Sequence, residues 1–249
     1  MKILVCISSV PDTTTKITFT ENNTKFNTSG VQFIINPNDE FGLTKALIIK
    51  ESNPGSSVTV IHVGPVGNEP VIRKSLAIGA DEAVRIDTDA LDAVQVANEI
   101  AGYIKSNPFD LIITGKESID YNGSIVPHML GELLGIASVS PCIGLNINGT
   151  TAEMVGIVDG GKENIMSNLP VVVGSQKGLV EEKDLRIPNM RGIMQARSKP
   201  LTVVSAIGSS SSQSVNSYQS PLAKSACKMI DSSSVEELVN LLQNEAKVI

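Results

Sequence analysis

The sequence predicts an α/β fold, a mostly parallel sheet with helices on both faces, and three observations carry that prediction. Short apolar, β-rich runs recur through the first half of the 249-residue chain, at Lys2 to Ile7, Ser57 to Val63, Val84 to Ile86 and Leu111 to Thr114. Runs without polar alternation are buried on both faces, as in parallel sheets. Segments with apolar residues at helical spacing lie between them, the βαβ pattern. From Ser138 the pattern changes to runs joined by Asn148-Gly149 and Asp159-Gly160-Gly161, hairpin signals that add an antiparallel extension.

Composition bounds the function. A 41% hydrophobic content supports a packed core, and a net charge of −6 argues against nucleic acid as a partner, since phosphate contacts need clustered Lys and Arg. Aromatic residues make up 3% and Trp is absent, so a base-stacking platform is not expected. Cys6, Cys142 and Cys227 are far apart, and neither they nor His62 and His128 show metal-ligand spacing. They read as reduced thiols of a cytoplasmic protein without a metal site. No apolar run approaches spanning length and no signal-peptide pattern precedes the first strand, so membrane insertion is not expected.

Taken in order, the loop Ser8 to Thr13 follows the first strand without a G-x-G-x-x-G signature. A ribbon-like segment, Lys16 to Gly30, alternates Thr against Ile17, Phe19 and Phe26. Asn36-Pro37 must be extended, and Asn38 or Asp39 is placed to cap a helix running to Lys50. Capping alone and a ligand role are equally open there. Further helices are expected over Glu69 to Ile78, stopped by Gly79, and over Asp92 to Ser106, with Val96, Ala97, Ile100 and Ile104 on the buried face.

In the hairpin section, strands are expected at Cys142 to Ile147, Thr151 to Val158, Glu163 to Asn168 and Pro170 to Gly174. Gly156 to Glu163 nearly matches a Walker A motif, but Glu163 replaces the Mg²⁺-binding hydroxyl, and a hairpin turn is the better reading. Asp184 to Lys199 lacks strand alternation and carries Met190 and Met194 among basic residues, thioethers that suit an adaptable contact surface. After a strand at Leu201 to Ser205, the Ser-rich stretch Gly208 to Ser220 reads as a flexible linker. Asp231 to Ser234 then caps an amphipathic helix, Val235 to Glu245, whose leucines need a surface to pack against. The chain thus divides into a nucleotide-binding domain, 1–205, and a C-terminal arm with a terminal helix, 206–249.

The chemistry is concentrated between Phe109 and Ile136, a buried strand, a polar loop and a helix. A loop leaving a parallel strand and entering a helix N-terminus presents N–H groups and a positive dipole end to an anion. Ser118, Asp120, Asn122 and Ser124 enrich that loop, and Gly123 is expected to permit close approach of a phosphate.

Six stretches in fixed order give the chain its resemblance to the β subunits of electron transfer flavoproteins: Val10-Pro11-Asp12, Asn36 to Asp39, Leu76 to Asp81, Gly115 to Asp120, Asp159-Gly160-Gly161 and Pro188 to Lys199. The resemblance covers essentially the whole chain. It implies an adenine-nucleotide-hydrolase-like fold and a heterodimer with an α subunit that holds most of an FAD. It also implies that the β subunit buries an AMP, or a second FAD in bifurcating members. The residues it places around that nucleotide are Cys6, Asn36, Pro37, Asn38, Asp39, Val63, Gly115, Ser118, Asp120, Asn122, Gly123, Ser124, Ile125 and Val126. Where many members carry Gln-Thr-Gly or Gln-Val-Gly as a phosphate contact, this chain has Tyr121 to Pro127, with Ser124 and backbone N–H groups as substitutes. Thr13 falls where some members place a tyrosine near the flavin. Met190, Arg191, Ile193 and Met194 fall in the family's recognition loop for partner dehydrogenases.

The function so implied is electron carriage on a shared FAD, from dehydrogenases to a quinone reductase or another acceptor, with no residue acting as acid, base or nucleophile. The alternatives are the β subunit of a bifurcating flavoprotein, or an unrelated nucleotide-binding protein of ligase, hydrolase or stress-sensor type.

Overall fold

The computed structural model describes residues 1–90, 92–211, 213–224 and 226–249. The first half contains β1 (Lys2–Cys6), β2 (Ser9–Pro11), β3 (Phe19–Thr20), β4 (Lys25–Phe26), β5 (Phe33–Ile35), α1 (Pro37–Ser52), β6 (Ser57–Val63), α2 (Glu69–Ile78), β7 (Glu82–Asp87), α3 (Ala93–Ser106) and β8 (Leu111–Gly115). The second contains α4 (Val126–Leu134), β9 (Ala137–Asn148), β10 (Thr151–Val158), β11 (Gly161–Asn168), β12 (Val171–Ser175), α5 (Met190–Ala196), β13 (Leu201–Ser205) and α6 (Val235–Asn244).

Among the described residues, nine strands form one sheet in the order β11-β10-β9-β12-β8-β1-β6-β7-β13. Pairing is parallel from β9 across to β13 and antiparallel only at β9-β10 and β10-β11. Alternation along the strands supplies both layers. Ile3, Val5, Leu111 and Ile113 pack with Leu43, Leu47, Ile72 and Leu76 of α1 and α2. Leu4, Cys6 and Ile112 face the other way, onto Ala97, Ile100 and Ile104 of α3 and Leu130 of α4. Each large aliphatic side chain fully buried this way contributes about 1.5–3 kcal/mol.

Several boundaries depart from the sequence reading. β12, expected in the antiparallel extension, instead inserts in parallel between β9 and β8, because Val171, Val172 and Val173 are apolar on both faces and fully buried. β9 begins at Ala137 rather than Cys142. Neither Asn38 nor Asp39 caps α1: Asn36 occupies the cap position without a side-chain cap bond, and Pro37 opens the first turn. The segment after Pro188 is not a loop, since Met190–Ala196 is helical and Asn189 Oδ1 accepts from Gly192 N–H at 2.7 Å. Ser234, at the cap of α6, makes no side-chain cap bond. The Ser-rich stretch is not a free linker over its first part either, because Ser209, Ser211 and Gln213 are hydrogen-bonded to residues at α3.

From β1 the chain runs through α1 to β6 on one side, and from β7 it crosses through α3 to β8 on the other. Such a reversal of strand order leaves a crevice at the carboxyl ends of the two strands.

Candidate nucleotide-binding site

A cavity of about 360 Å³ lies at that crevice, within the usual size of small-ligand sites. Cys6, Ile7 and Ser8 supply the end of β1, and Thr114 and Gly115 that of β8. The following loop adds Lys116, Glu117, Ser118 and Tyr121, and then Gly123 to Val126 at the start of α4. Ala93, Val96 and Ile100 of α3 make an apolar wall, completed by Val215 from the C-terminal arm.

The polar residues before and within α1 hold the loop rather than project into open space. Asn36, fully buried, donates from Nδ2 to Asp39 Oδ1 at 2.8 Å and to the Glu117 carbonyl at 2.9 Å, and its Oδ1 accepts from Ile119 N–H at 3.2 Å. Asn38 donates to the same Glu117 carbonyl at 3.0 Å. Asp39 Oδ2 accepts from Ser8 N–H at 2.6 Å, fastening the end of β1 to α1. A Cβ on Gly115 would clash with Asp39 Oδ1 and lie 2.9 Å from Asn36 Nδ2, so only glycine lets β8 pass this cluster. At Gly123, by contrast, the nearest atoms to an added Cβ are those of Ile125 at 3.9 Å, so of these two glycines Gly115 is the one the protein itself crowds.

α4 opens without a side-chain cap at Ile125. Pro127 in its first turn has no N–H, which leaves the Val126 and His128 N–H groups, without a side-chain cap, for an anion. Asn122 and Ser124 both adopt left-handed backbone, with φ of 49° and 52°, a conformation uncommon outside glycine and often found at ligand loops. The Ser124 hydroxyl donates to Glu117 at 2.8 Å, so its proton is committed within the loop.

Charges around the cavity are mostly acidic: Asp39, Asp92 and Glu117 against Lys116, which pairs with Glu117 at 3.1 Å. Burial pushes the Asp39 carboxyl up to about 7, against hydrogen bonds from Ser8, Asn36 and Gly115 that favour the anion. Burial raises Glu117 too, but the Ser124 hydroxyl and the Lys116 ammonium outweigh it and hold that carboxyl below its ordinary range. Burial, with Asp39 adding, pushes the Cys6 thiol far up, so it stays protonated. His62, behind Ile7, accepts at Nε2 from Asn68 and faces the Ile7 carbonyl with Nδ1, both at 2.9 Å. Burial lowers its pKa, so it is neutral with the proton on Nδ1.

The electron transfer flavoprotein domain model matches residues 23–208. The chain is 34% identical, over the full length of both proteins, to the electron transfer flavoprotein subunit beta of Bacillus subtilis (strain 168). It is 32% identical to the protein of that name from Syntrophomonas wolfei, over all of this chain and 98% of the relative. The chain belongs to the electron transfer flavoprotein β-subunit family. It is also 30% identical to the caffeyl-CoA reductase-Etf complex subunit CarD of Acetobacterium woodii, over 99% of this chain and 98% of the relative.

Of the nucleotide residues suggested by resemblance to electron transfer flavoprotein β subunits, Cys6, Asp39, Gly115, Ser118, Gly123, Ser124, Ile125 and Val126 line the cavity. Asn36, Pro37, Asn38 and Val63 stand behind it, the first and third as loop clamps and Val63 packed on the core of the α3 face. Asp120 and Asn122 are exposed on the outer turn of the loop, and Thr13 is exposed beyond β2. Sequence reading missed Ser8, the α3 wall and the arm residues Gln213 to Val215.

The segment that resemblance aligns with the family's recognition loop forms α5, with Met190 76% and Met194 69% exposed, so neither is a core residue. Arg191 is exposed as well, and Ile193 borders a groove between α5 and α2 with Ala77 and Ala196. α5 and the residues after it are fastened from both sides. Arg73 of α2 donates to the Ala196 and Lys199 carbonyls, each at 2.8 Å, and Lys199 donates to Leu76 and Ala80 carbonyls at 2.9 and 2.6 Å.

Proposed function

We propose that this chain is the β subunit of a heterodimeric electron transfer flavoprotein, which carries electrons on an FAD shared with an α subunit. The donors are dehydrogenases and the acceptor is a quinone reductase or another electron acceptor. The flavin supplies the redox chemistry when bound. This chain's residues bind, orient and exclude water, and none acts as an acid, base or nucleophile. A cytoplasmic location belongs to the same reading and accords with cysteines present as free thiols. No helix of the described residues is long and apolar enough to cross a membrane.

The observation that carries the reading is the cavity at the strand-order reversal in a chain of this family. Its residues fit an adenosine monophosphate: an apolar slot at Val96, Ile100 and Val126 for the base, and the uncapped start of α4 for the phosphate. The second reading is the β subunit of a bifurcating flavoprotein, in which FAD replaces AMP.

Coexpression with an α subunit from the same genome tests the assignment. A yellow 1:1 complex that releases FAD and AMP on denaturation is expected. A β chain that purifies alone, colourless and without nucleotide, would overturn it.

A further inference from the structure

We propose that the C-terminal arm is the latch of the nucleotide cavity, fastened by a stripe of side chains along α3, and that nucleotide retention depends on it. The inference rests on the nucleotide reading above. It concerns residues outside the loops that the family resemblance singles out.

Asp92, Gln95, Glu99 and Gly102 recur at helical spacing on one side of α3. The arm lies along them. A Cβ on Gly102 would stand 2.9 Å from Ile207 Cδ1, so glycine leaves room for the Ile207 side chain against the helix. Glu99, 1% exposed, accepts from Ile207 N–H at 2.7 Å, Ser209 N–H at 2.9 Å and Ser209 Oγ at 2.6 Å. Gln95 donates to the Ser209 carbonyl at 3.0 Å. Asp92 Oδ2 accepts from Ser211 Oγ at 2.8 Å and from Gln213 N–H at 3.0 Å.

These bonds end where the arm begins to line the cavity, at Gln213, Ser214 and Val215. A second fastening follows: Tyr218 stacks on Phe19 with ring centroids 4.8 Å apart and 4° between planes, and its N–H donates to Asn23 O at 2.6 Å. The arm therefore spans from α3 to the β3–β4 ribbon beside the cavity. Carboxylates holding N–H and O–H donors make short, strong hydrogen bonds. A carboxylate as buried as Glu99 is costly to leave without them. A nucleotide in the cavity is thus enclosed by a wall held before it by the Asp92 bonds and after it by Tyr218.

Asp92→Asn separates the latch from the fold. Asp92 also caps α3, its Oδ1 accepting from Gln95 N–H at 2.7 Å. Asparagine keeps that acceptor, and caps as well as aspartate. It places an NH₂ group where Ser211 and Gln213 now donate.

The coexpressed heterodimer is loaded with radiolabelled AMP and chased with excess unlabelled AMP. Asp92→Asn removes the charge from the Ser211 and Gln213 bonds and sets an NH₂ group against the Gln213 N–H, which should raise the dissociation rate about tenfold or more. Ser211→Ala, which leaves the Gln213 N–H bond in place, should fall between that variant and the wild type. Equal dissociation rates in all three proteins would overturn the latch and leave the nucleotide site standing. A wild-type heterodimer that neither contains AMP nor takes up the label would overturn the nucleotide reading and the latch together.

Discussion

The loop from Lys116 to Ile125 and the helix α5, the two regions proposed to meet a ligand and a partner, hold their side chains in opposite ways. In the loop, buried side chains are consumed in fixing the backbone: Asn36 alone ties Asp39, Glu117 and Ile119 together. What remains for a ligand is largely main-chain N–H. In α5 the backbone is fixed from outside by Arg73 and Lys199, and the helix's own side chains, Met190 and Met194, stand in solvent. A small anion is served by converging N–H groups that cannot shift. A protein partner is served by apolar anchors that cost little until a pocket covers them. Substitutions behind the loop should therefore disturb stability and ligand together, while those on α5 should disturb partner recognition alone.

The largest effect is expected from Asn36→Ala. It removes three hydrogen bonds at a fully buried position and strands the Ile119 N–H. A loss of about 3 kcal/mol is expected. Calorimetry should show a lower melting temperature, and released AMP should fall with it. A variant that melts like wild type and keeps its nucleotide would break the contrast between the two regions.

Asp39 sharpens the contrast through pH. Its carboxyl is pushed up from 3.8 to about 7 by burial, so between about pH 4 and 7 the folded state holds a proton that the unfolded chain gives up. The unfolded state then binds fewer protons, and the contribution of this group to stability falls as pH rises through that window. The penalty is absent below the window and fully developed above it. The stability of wild type minus that of Asp39→Asn, followed by denaturant titration from pH 4 to 8, should decline with pH and flatten near 7. A flat difference would show that Asp39 ionises as it does in water.

These two residues also mark what was legible in the sequence. The strand, loop and helix around Leu111 to Leu134 were readable because a buried parallel strand is an unbroken apolar run and a loop is not. The roles of Asn36 and Asp39 were not, since a residue that caps a helix and one that clamps a distant loop are of the same chemical type; only the fold brings Glu117 to Asn36. The stripe of Asp92, Gln95 and Glu99 looks like an ordinary solvated face until the arm covers it. α5 is seven residues long and interrupted by Gly192, too short for periodicity to register. Asn189, three residues before the N–H it accepts from, was the available signal.

Arg73→Met tests whether α5 needs its external clamp. The guanidinium donates to two carbonyls at 2.8 Å, and losing hydrogen bonds to a charged group costs about 1.5–3 kcal/mol. Because that loss is confined to α2 and α5, AMP and FAD contents should hold while the rate of reduction by the partner dehydrogenase falls. A drop in bound AMP would show that the two regions are not independent.

The smallest effect on stability, and the most specific on function, is expected from Met190→Ala. A core methionine truncated to alanine would cost roughly 2–5 kcal/mol, but Met190 is 76% exposed at the first turn of α5. The melting temperature, the flavin spectrum and heterodimer assembly should therefore match wild type. Electron transfer from the cognate dehydrogenase should slow by about tenfold, equivalent to roughly 1.4 kcal/mol of lost partner binding. Salt separates this anchor from its charged neighbours: Arg191 and Arg197 are exposed, and effects of substituting them should shrink as ionic strength rises, because screening removes steering. The Met190→Ala deficit should persist at high salt, since apolar burial is not screened. A deficit that vanishes with salt would assign recognition to charge, and a lowered melting temperature with normal dehydrogenase kinetics would place Met190 in the fold instead of at the partner surface.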